Sequence, residues 1–275
     1  MTPHHVQRRR VKRYGWRRDL PDFRDRRYAA PSTVMAALPA SVDLRPNAPP
    51  VYDQGQLGSC TGNAIAAAVQ FERMRQNLAG AAASVPSRLF IYYNERVIEG
   101  TVAQDAGGQL RDGIKTVARQ GACFETGRGA WPYFPTKFAR KPPAACYRVA
   151  ATDTTVQYSA IQQGVPQATE AQLKGCLAEG YPFVFGFTVY ESFESAAVAT
   201  SGVVPMPGPG EAVLGGHAVL AVGYDDATRQ FIVRNSWGAE WGLAGYFLMP
   251  YGYLTDSNLA SDFWTIRMEG RHEAR

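Results

Sequence analysis

Apolar residues recur at helical spacing through the first half of the chain and in strand-like runs through the second. After Cys60 the sequence is apolar and alanine-rich to about Leu78. Ala64, Ala68 and Phe71 fall on one face at i, i+4 and i+7, which predicts a buried helix. Residues 87–99 and 109–120 also read as helices, the second with a stripe of Leu110, Ile114, Val117 and Ala118. Residues 128–168 are proline-rich and read as loop, and residues 170–179 as a short helix ended by Gly180. From Phe183 onward the pattern turns to strands over 183–189, 217–224, 231–235 and 245–249. Helices first and strands later predict an α+β fold with two lobes.

Residues 1–37 do not fit this pattern and read as a separate leader, with the body beginning at Leu38 and running to 275. Of the chain's formal charge of +5, residues 1–30 carry +7 and the remainder −2. The high isoelectric point therefore belongs to the leader. With a near-neutral body and no nucleic-acid motif, a nucleic-acid partner is not expected. The run Arg8–Arg9–Arg10–Val11–Lys12–Arg13 reads as a solvated tail, whereas Gly15–Trp16–Arg17–Arg18–Asp19–Leu20–Pro21–Asp22 has the composition of a segment that docks in extended form. No stretch is apolar for long enough to cross a bilayer as a helix. The first 30 residues lack the apolar core of a secretory signal, which favours the cytoplasm and leaves other export routes open.

Four cysteines (60, 123, 146 and 176) are too few and too spread for a disulfide scaffold, and none has zinc-site spacing. Of the four histidines only His217 lies well inside the chain. No metal or organic cofactor is implied, only a reducing environment that keeps Cys60 a thiol.

Cys60 follows Gln54–Gly55–Gln56–Leu57–Gly58–Ser59 and opens the first helix. A helix N-terminus favours thiolate and lowers its pKa. A lone cysteine is commonly a core residue, but a core residue needs no glycine-rich turn before it. His217 opens a strand whose hairpin, centred near Ala227, places position 237 opposite it and Asn235 on the diagonal. A lone histidine is more often a satisfied core residue, and Asn235–Ser236 alone reads as a strand-end turn. Together the three make a nucleophile, a base and an orienting amide, the arrangement used for acyl transfer. Gln54, across the turn from Cys60, is placed to join the Cys60 amide in stabilising an oxyanion.

Three blocks carry a resemblance. Gln54 with Cys60, Gly216–His217–Ala218–Val219, and Asn235–Ser236–Trp237–Gly238 with Trp241–Gly242 and Gly245–Tyr246 resemble the signature blocks of papain-like cysteine peptidases, most of all bacterial members of the xylellain type. Gly107–Gly108 and Trp131–Pro132–Tyr133 resemble further family segments, and the likeness runs from about Leu38 to Trp264. It implies a two-lobed papain-like fold with the cleft between a helical N-terminal lobe and a β C-terminal lobe, and an endopeptidase acting on polypeptides as a monomer. By the resemblance Cys60 is the nucleophile, His217 the base and acid, Asn235 the orienter and Gln54 the oxyanion donor. Trp237 shields the His–Asn hydrogen bond. Gly107 and Gly108 pair with a substrate strand, Gly216 borders it, and Leu110, Ala218 and a position near Gly186 line the main side-chain pocket. Small, apolar walls there imply a bulky apolar substrate residue.

The sequence departs from the family at Thr61, where tryptophan is usual, and at Leu57, where a disulfide cysteine is usual. Cys123 and Cys146 flank the Trp–Pro–Tyr loop; a disulfide between them and four reduced thiols both stay open. Such a peptidase usually carries a much longer propeptide, so the short leader is expected to act as an intramolecular inhibitor: Trp16–Tyr28 docks, and residues near Trp16–Asp25 lie on the body and limit access to Cys60. Two other functions use the same residues: an acyltransferase with the same Cys–His–Asn site, and an inactive papain fold serving as a binding module.

Overall fold

The computed structural model describes residues 14–152 and 156–268. The elements are β1 (Arg27–Tyr28), α1 (Ser32–Met35), β2 (Ser41–Asp43), α2 (Cys60–Arg75), α3 (Arg88–Glu99), α4 (Leu110–Gln120), α5 (Ala144–Ala150), β3 (Val156–Ile161) and α6 (Pro166–Ala178). They continue with β4 (Phe183–Tyr190), α7 (Ala196–Ser201), β5 (Val213–Asp225), β6 (Gln230–Arg234), β7 (Tyr246–Pro250), α8 (Tyr251–Thr255) and β8 (Ala260–Met268). The strands form one sheet in the order β1-β3-β8-β4-β5-β6-β7, with β2 added against β5. Among the described strands, β1 and β3 run parallel and every other pair antiparallel.

Strand periodicity divides the core in two. Phe183, Phe185 and Phe187 of β4, with Val219 and Ala221 of β5, face one way into an aromatic cluster with Phe193, Phe231, Phe247 and Phe263. Val184 of β4, with Ala218, Leu220 and Val222 of β5, faces the other way, onto Ile65, Ala68 and Val69 of α2. Both faces of the central strands are covered, which explains their near-continuous apolar sequence. It also explains why α2 is buried along most of its length rather than on one stripe. A third cluster joins Leu89, Phe90 and Tyr92 of α3 to Trp131, Cys123 and Cys146. Ser87 fixes the start of α3: its hydroxyl accepts from the Phe90 amide.

The three N-terminal helices and four strands read from the pattern are present, most with ends moved by a residue or two. The exceptions are α2, which ends at Arg75 rather than about Leu78, and β5, which starts four residues earlier, at Val213. The helix expected over 170–179 starts at Pro166, where a proline is well tolerated. The loop expected over 128–168 is corrected: it contains α5 and β3. Strand β3 pairs with β1 and β8, and its apolar pattern is interrupted by the half-buried Gln157, Tyr158 and Ser159 between buried ends. Strand β8 also lay outside the expected set. All four cysteines are free thiols, with Cys123 and Cys146 in hydrogen-bonding contact. The leader's described part begins at Tyr14; the basic run from Arg8 to Arg13 lies outside the described residues.

Candidate active site

Helix α2 brings Cys60 to the sheet, and β5 brings His217 to the same place. Cys60 is wholly buried. Its sulfur receives hydrogen bonds from the backbone amides of Ala218, Gly15 and Thr61. The amide of the residue after His217 therefore points at the thiol. The hairpin register places Leu220 opposite Arg234 and Ala221 opposite Val233, centred on Ala227. The His217 Nε2 and Asn235 Oδ1 atoms lie 2.8 Å apart, so Nδ1 is the remaining ring nitrogen. Asn235 Oδ1 also accepts from the Ser236 amide at 2.8 Å, which fixes the amide's orientation. Trp237 packs over His217 with ring centroids 5.1 Å apart, and Phe187 meets the imidazole edge-on from the core side.

Gln54 is buried against this group. Its Oε1 accepts from Ser236 Oγ at 2.5 Å, its backbone amide donates to the Ser236 carbonyl, and its Nε2 donates to the Leu57 carbonyl at 2.9 Å. The structure thus gathers Cys60, His217, Asn235 and Gln54 from three segments of the chain, residues 54–60, β5 and the end of β6. Thr61 donates to Glu95 Oε1 at 2.6 Å. Burial above all holds the Glu95 carboxyl well above the usual carboxylate range.

The expectation of a depressed thiol pKa does not hold here. Burial pushes Cys60 up to about 12, against the opposing effect of the three amides. Desolvation of a thiolate outweighs the helix end when no water reaches the sulfur.

Residues 14–20 of the leader cover this region. The Trp16 amide donates to Gly216 O at 2.9 Å, the Arg17 amide to Gly108 O at 3.0 Å, and the Gly108 amide to Gly15 O at 2.7 Å. Trp16 and Gly108 form a parallel bridge. The Tyr14 hydroxyl donates to Glu194 Oε1 at 2.5 Å, and its ring meets His217 edge-on. Gly107 and Gly108 leave no space for side chains: a Cβ on Gly107 would lie 2.1 Å from Gly15 O, and one on Gly108 2.5 Å from Glu95 Oε1. Leu110, Ala218 and Trp16 share one buried cluster. Past Trp16, Asp19 is buried and accepts from the Arg111 amide and from Trp264 Nε1 at 2.9 Å. The Arg111 guanidinium holds Asp25 and the Leu20 carbonyl. Farther on, Leu20 and Phe23 are exposed.

Sequence reasoning missed Tyr14 and its partner Glu194, the Thr61–Glu95 contact, and Asp262. Asp262 Oδ2 accepts from Trp16 Nε1 at 3.0 Å and from the Asp19 amide at 2.8 Å. It sits in β8, whose strand pattern is interrupted by a polar pair, Ser261–Asp262.

Residues 38–265 match the family model described as papain family cysteine protease. The chain belongs to that family. It is similar to the crystal structure of xylellain, a cysteine protease from Xylella fastidiosa. The two share 44% identity and a TM-score of 0.84, with 96% of this chain and 99% of that one covered. An uncharacterized peptidase C1-like protein of Acanthamoeba polyphaga mimivirus is 47% identical over 81% of this chain and 71% of its own length. A cathepsin B-like protein of Giardia intestinalis is 32% identical over 82% of this chain and 73% of its own. The protein is therefore a papain-like cysteine protease, a hydrolase of peptide bonds, with the α+β fold of that family.

Proposed function

We propose that this protease is an endopeptidase working through a Cys60 acyl-enzyme, held latent by its own leader. The observation that carries the reading is the hydrogen-bonded His217–Asn235 pair beside a thiol at the start of α2. His217 Nδ1 takes the thiol proton, and the sulfur attacks the substrate carbonyl carbon. The Cys60 amide and Gln54 Nε2 receive the negative charge on oxygen. The imidazolium, whose Nε2–H is held by Asn235, returns the proton to the leaving amine. A thioester remains, and water activated by His217 hydrolyses it. Trp237 keeps water from the His217–Asn235 bond, while Gly107, Gly108 and Gly216 offer backbone partners to an extended substrate. Leu110 and Ala218 belong to the side-chain pocket.

Latency is supported by the leader's hydrogen bonds to Gly108 and Gly216, the groups a substrate strand would use, and by the buried thiol. Peptide hydrolysis by the full chain and by a Trp16→Ala, Asp19→Ala variant tests the reading. Faster hydrolysis by the variant is expected, with internal cleavage sites among the products. Transfer to an added amine in preference to water would favour the acyltransferase alternative. A folded variant that cleaves nothing would favour a binding module.

A further inference from the structure

Glu95 of α3 is a carboxyl with nowhere to put a charge. It is wholly buried. Its Oε1 accepts from Thr61 Oγ1 at 2.6 Å, and its Oε2 is buried with no hydrogen-bond partner among the described residues. Arg96, the next residue, commits its guanidinium to the carbonyls of Tyr92, Val102, Gln104 and Phe138. The other titratable groups that bear on Glu95 are acids: Cys60 of α2, Tyr92 and Glu99 of α3, and Asp112 of α4. Arg17 of the leader stands one step further off, paired with Glu99. A buried ionised oxygen without a partner is strongly unfavourable, whereas the neutral acid leaves only a hydroxyl unpaired.

The chain makes room for this carboxyl. A Cβ on Gly108 would lie 2.5 Å from its Oε1, and one on Gly113, inside α4, 2.6 Å from its Oε2. A glycine within a helix is unfavourable by itself, and here it gives the carboxyl its seat. Thr61, the partner on the other side, follows Cys60 in the first turn of α2. The carboxyl thus stands between the start of the nucleophile's helix and the underside of Gly108, whose N–H and C=O hold the leader. It also acts on the sulfur through space: a charged Glu95 opposes a thiolate at Cys60.

We propose that Glu95 is a positioning residue: through Thr61 on one side and Gly108 on the other, its carboxyl fixes where Cys60 sits relative to the edge that receives the substrate backbone. This rests on the peptidase reading above. The neutral acid is the working form, held so by burial. Ionisation would set a negative charge beside a sulfur that must itself become negative. Release of the leader takes Arg17 from Glu99, so the acid is held protonated more firmly in the open form.

The probes are Glu95→Gln, which keeps the size and the acceptor for Thr61 and cannot ionise, and Glu95→Ala. Kinetics are read in the Trp16→Ala, Asp19→Ala background, below the melting range. Glu95→Ala should lower kcat about tenfold, the loss of one buried hydrogen bond, with KM little changed, because the sulfur is displaced from the bound carbonyl. Glu95→Gln should match the parent at neutral pH. Thr61→Ala should reproduce the loss and add nothing to Glu95→Ala, and Thr61→Ser should restore the rate. Infrared spectra of the full chain and of the opened form should each show the carbonyl stretch of a protonated acid that Glu95→Gln removes. As that band fades with rising pH, the activity of Glu95→Gln should overtake that of the parent, since only the parent gains the charge. A folded Glu95→Ala protein with unchanged kcat, a Glu95→Gln as slow as Glu95→Ala, additive losses from Thr61 and Glu95, or no such band overturns the proposal. An activity ratio that stays flat while the band fades also overturns it. If Glu95→Ala is too unstable to assay, Thr61→Ala and Glu95→Gln decide. If no form cleaves peptide, the peptidase reading has failed. Hydrogen exchange in the full chain then decides the role of Glu95: the Thr61 and Gly108 amides should exchange about tenfold faster in Glu95→Ala and unchanged in Glu95→Gln, and equal exchange in all three overturns the tie.

Discussion

At the scale of the residue, the site is a set of hydrogen bonds that each have one good geometry. Asn235 has its Oδ1 shared between His217 Nε2 and the Ser236 amide. Asn235→Ala frees the imidazole to rotate and should lower kcat by on the order of 10²-fold, the lower end of what a positioned acid–base contributes. KM should change little. Gln54 reaches Ser236 and the Leu57 carbonyl. Gln54→Ala should cost roughly 10²–10³ in kcat if it is an oxyanion donor. Steady-state kinetics on the leader-opened form check both, and a KM effect without a kcat effect would count against either role. Much of this was legible in the sequence, because Cys60 opens α2, Asn235 directly follows β6, and His217 lies on β5, the strand paired with β6. The thiol's raised pKa was not, since it comes from burial under residues more than forty positions away. Nor was Asp262, because its direction depends on a bulge that shows only once β8 is paired with β4.

At the scale of the element, the leader behaves as a strand-like strip clipped to two walls, α4's N-terminal loop and β5. Gly108 is closed from beneath as well: its Cβ would meet Glu95 at 2.5 Å. Gly108→Ala should destabilise the fold by about 1–3 kcal/mol through overpacking and also loosen residues 14–20, read by thermal melts and hydrogen exchange. The second clip is Asp19, buried beside Asp262 and faced by the Trp264 indole and the Arg111 amide and guanidinium, with Arg18 near Asp262. Burial first, then the neighbouring Asp262, raises the Asp19 carboxyl to about 7; in a released leader it would titrate near 4. The docked state thus holds an extra proton between those values. Docking is strongest below pH 4 and weakens as pH rises to about 7. NMR of the Trp16 indole N–H should show the docked population falling over this range, and Asp19→Asn should shrink the change. A docked population that grows with pH would contradict the assignment. The helices and central strands were readable because both faces of β4 and β5 are apolar. Strand β3 was not, because its pattern is broken by the polar residues Gln157 and Ser159, and its partners lie far apart in sequence.

At the scale of the whole molecule, two lobes and one leader segment meet at a single sulfur. The helical lobe supplies Cys60 and Gly108, and the sheet supplies His217, Asn235 and Asp262. Residues 14–20 bridge both, from Glu194 through Gly216 and Gly108 to Arg111. Such a bridge ties the reactivity of Cys60 to the docking of the leader. The most direct measurement is intact mass after exposure to a thiol-directed epoxide, with the adduct mapped, on the full chain and the Trp16→Ala, Asp19→Ala variant. The account predicts a single adduct at Cys60, formed at least tenfold faster in the variant, since opening exposes a thiol now held at about 12 by burial. Equal labelling of the two folded forms would contradict a latent site, and no labelling of either would contradict Cys60 as the nucleophile.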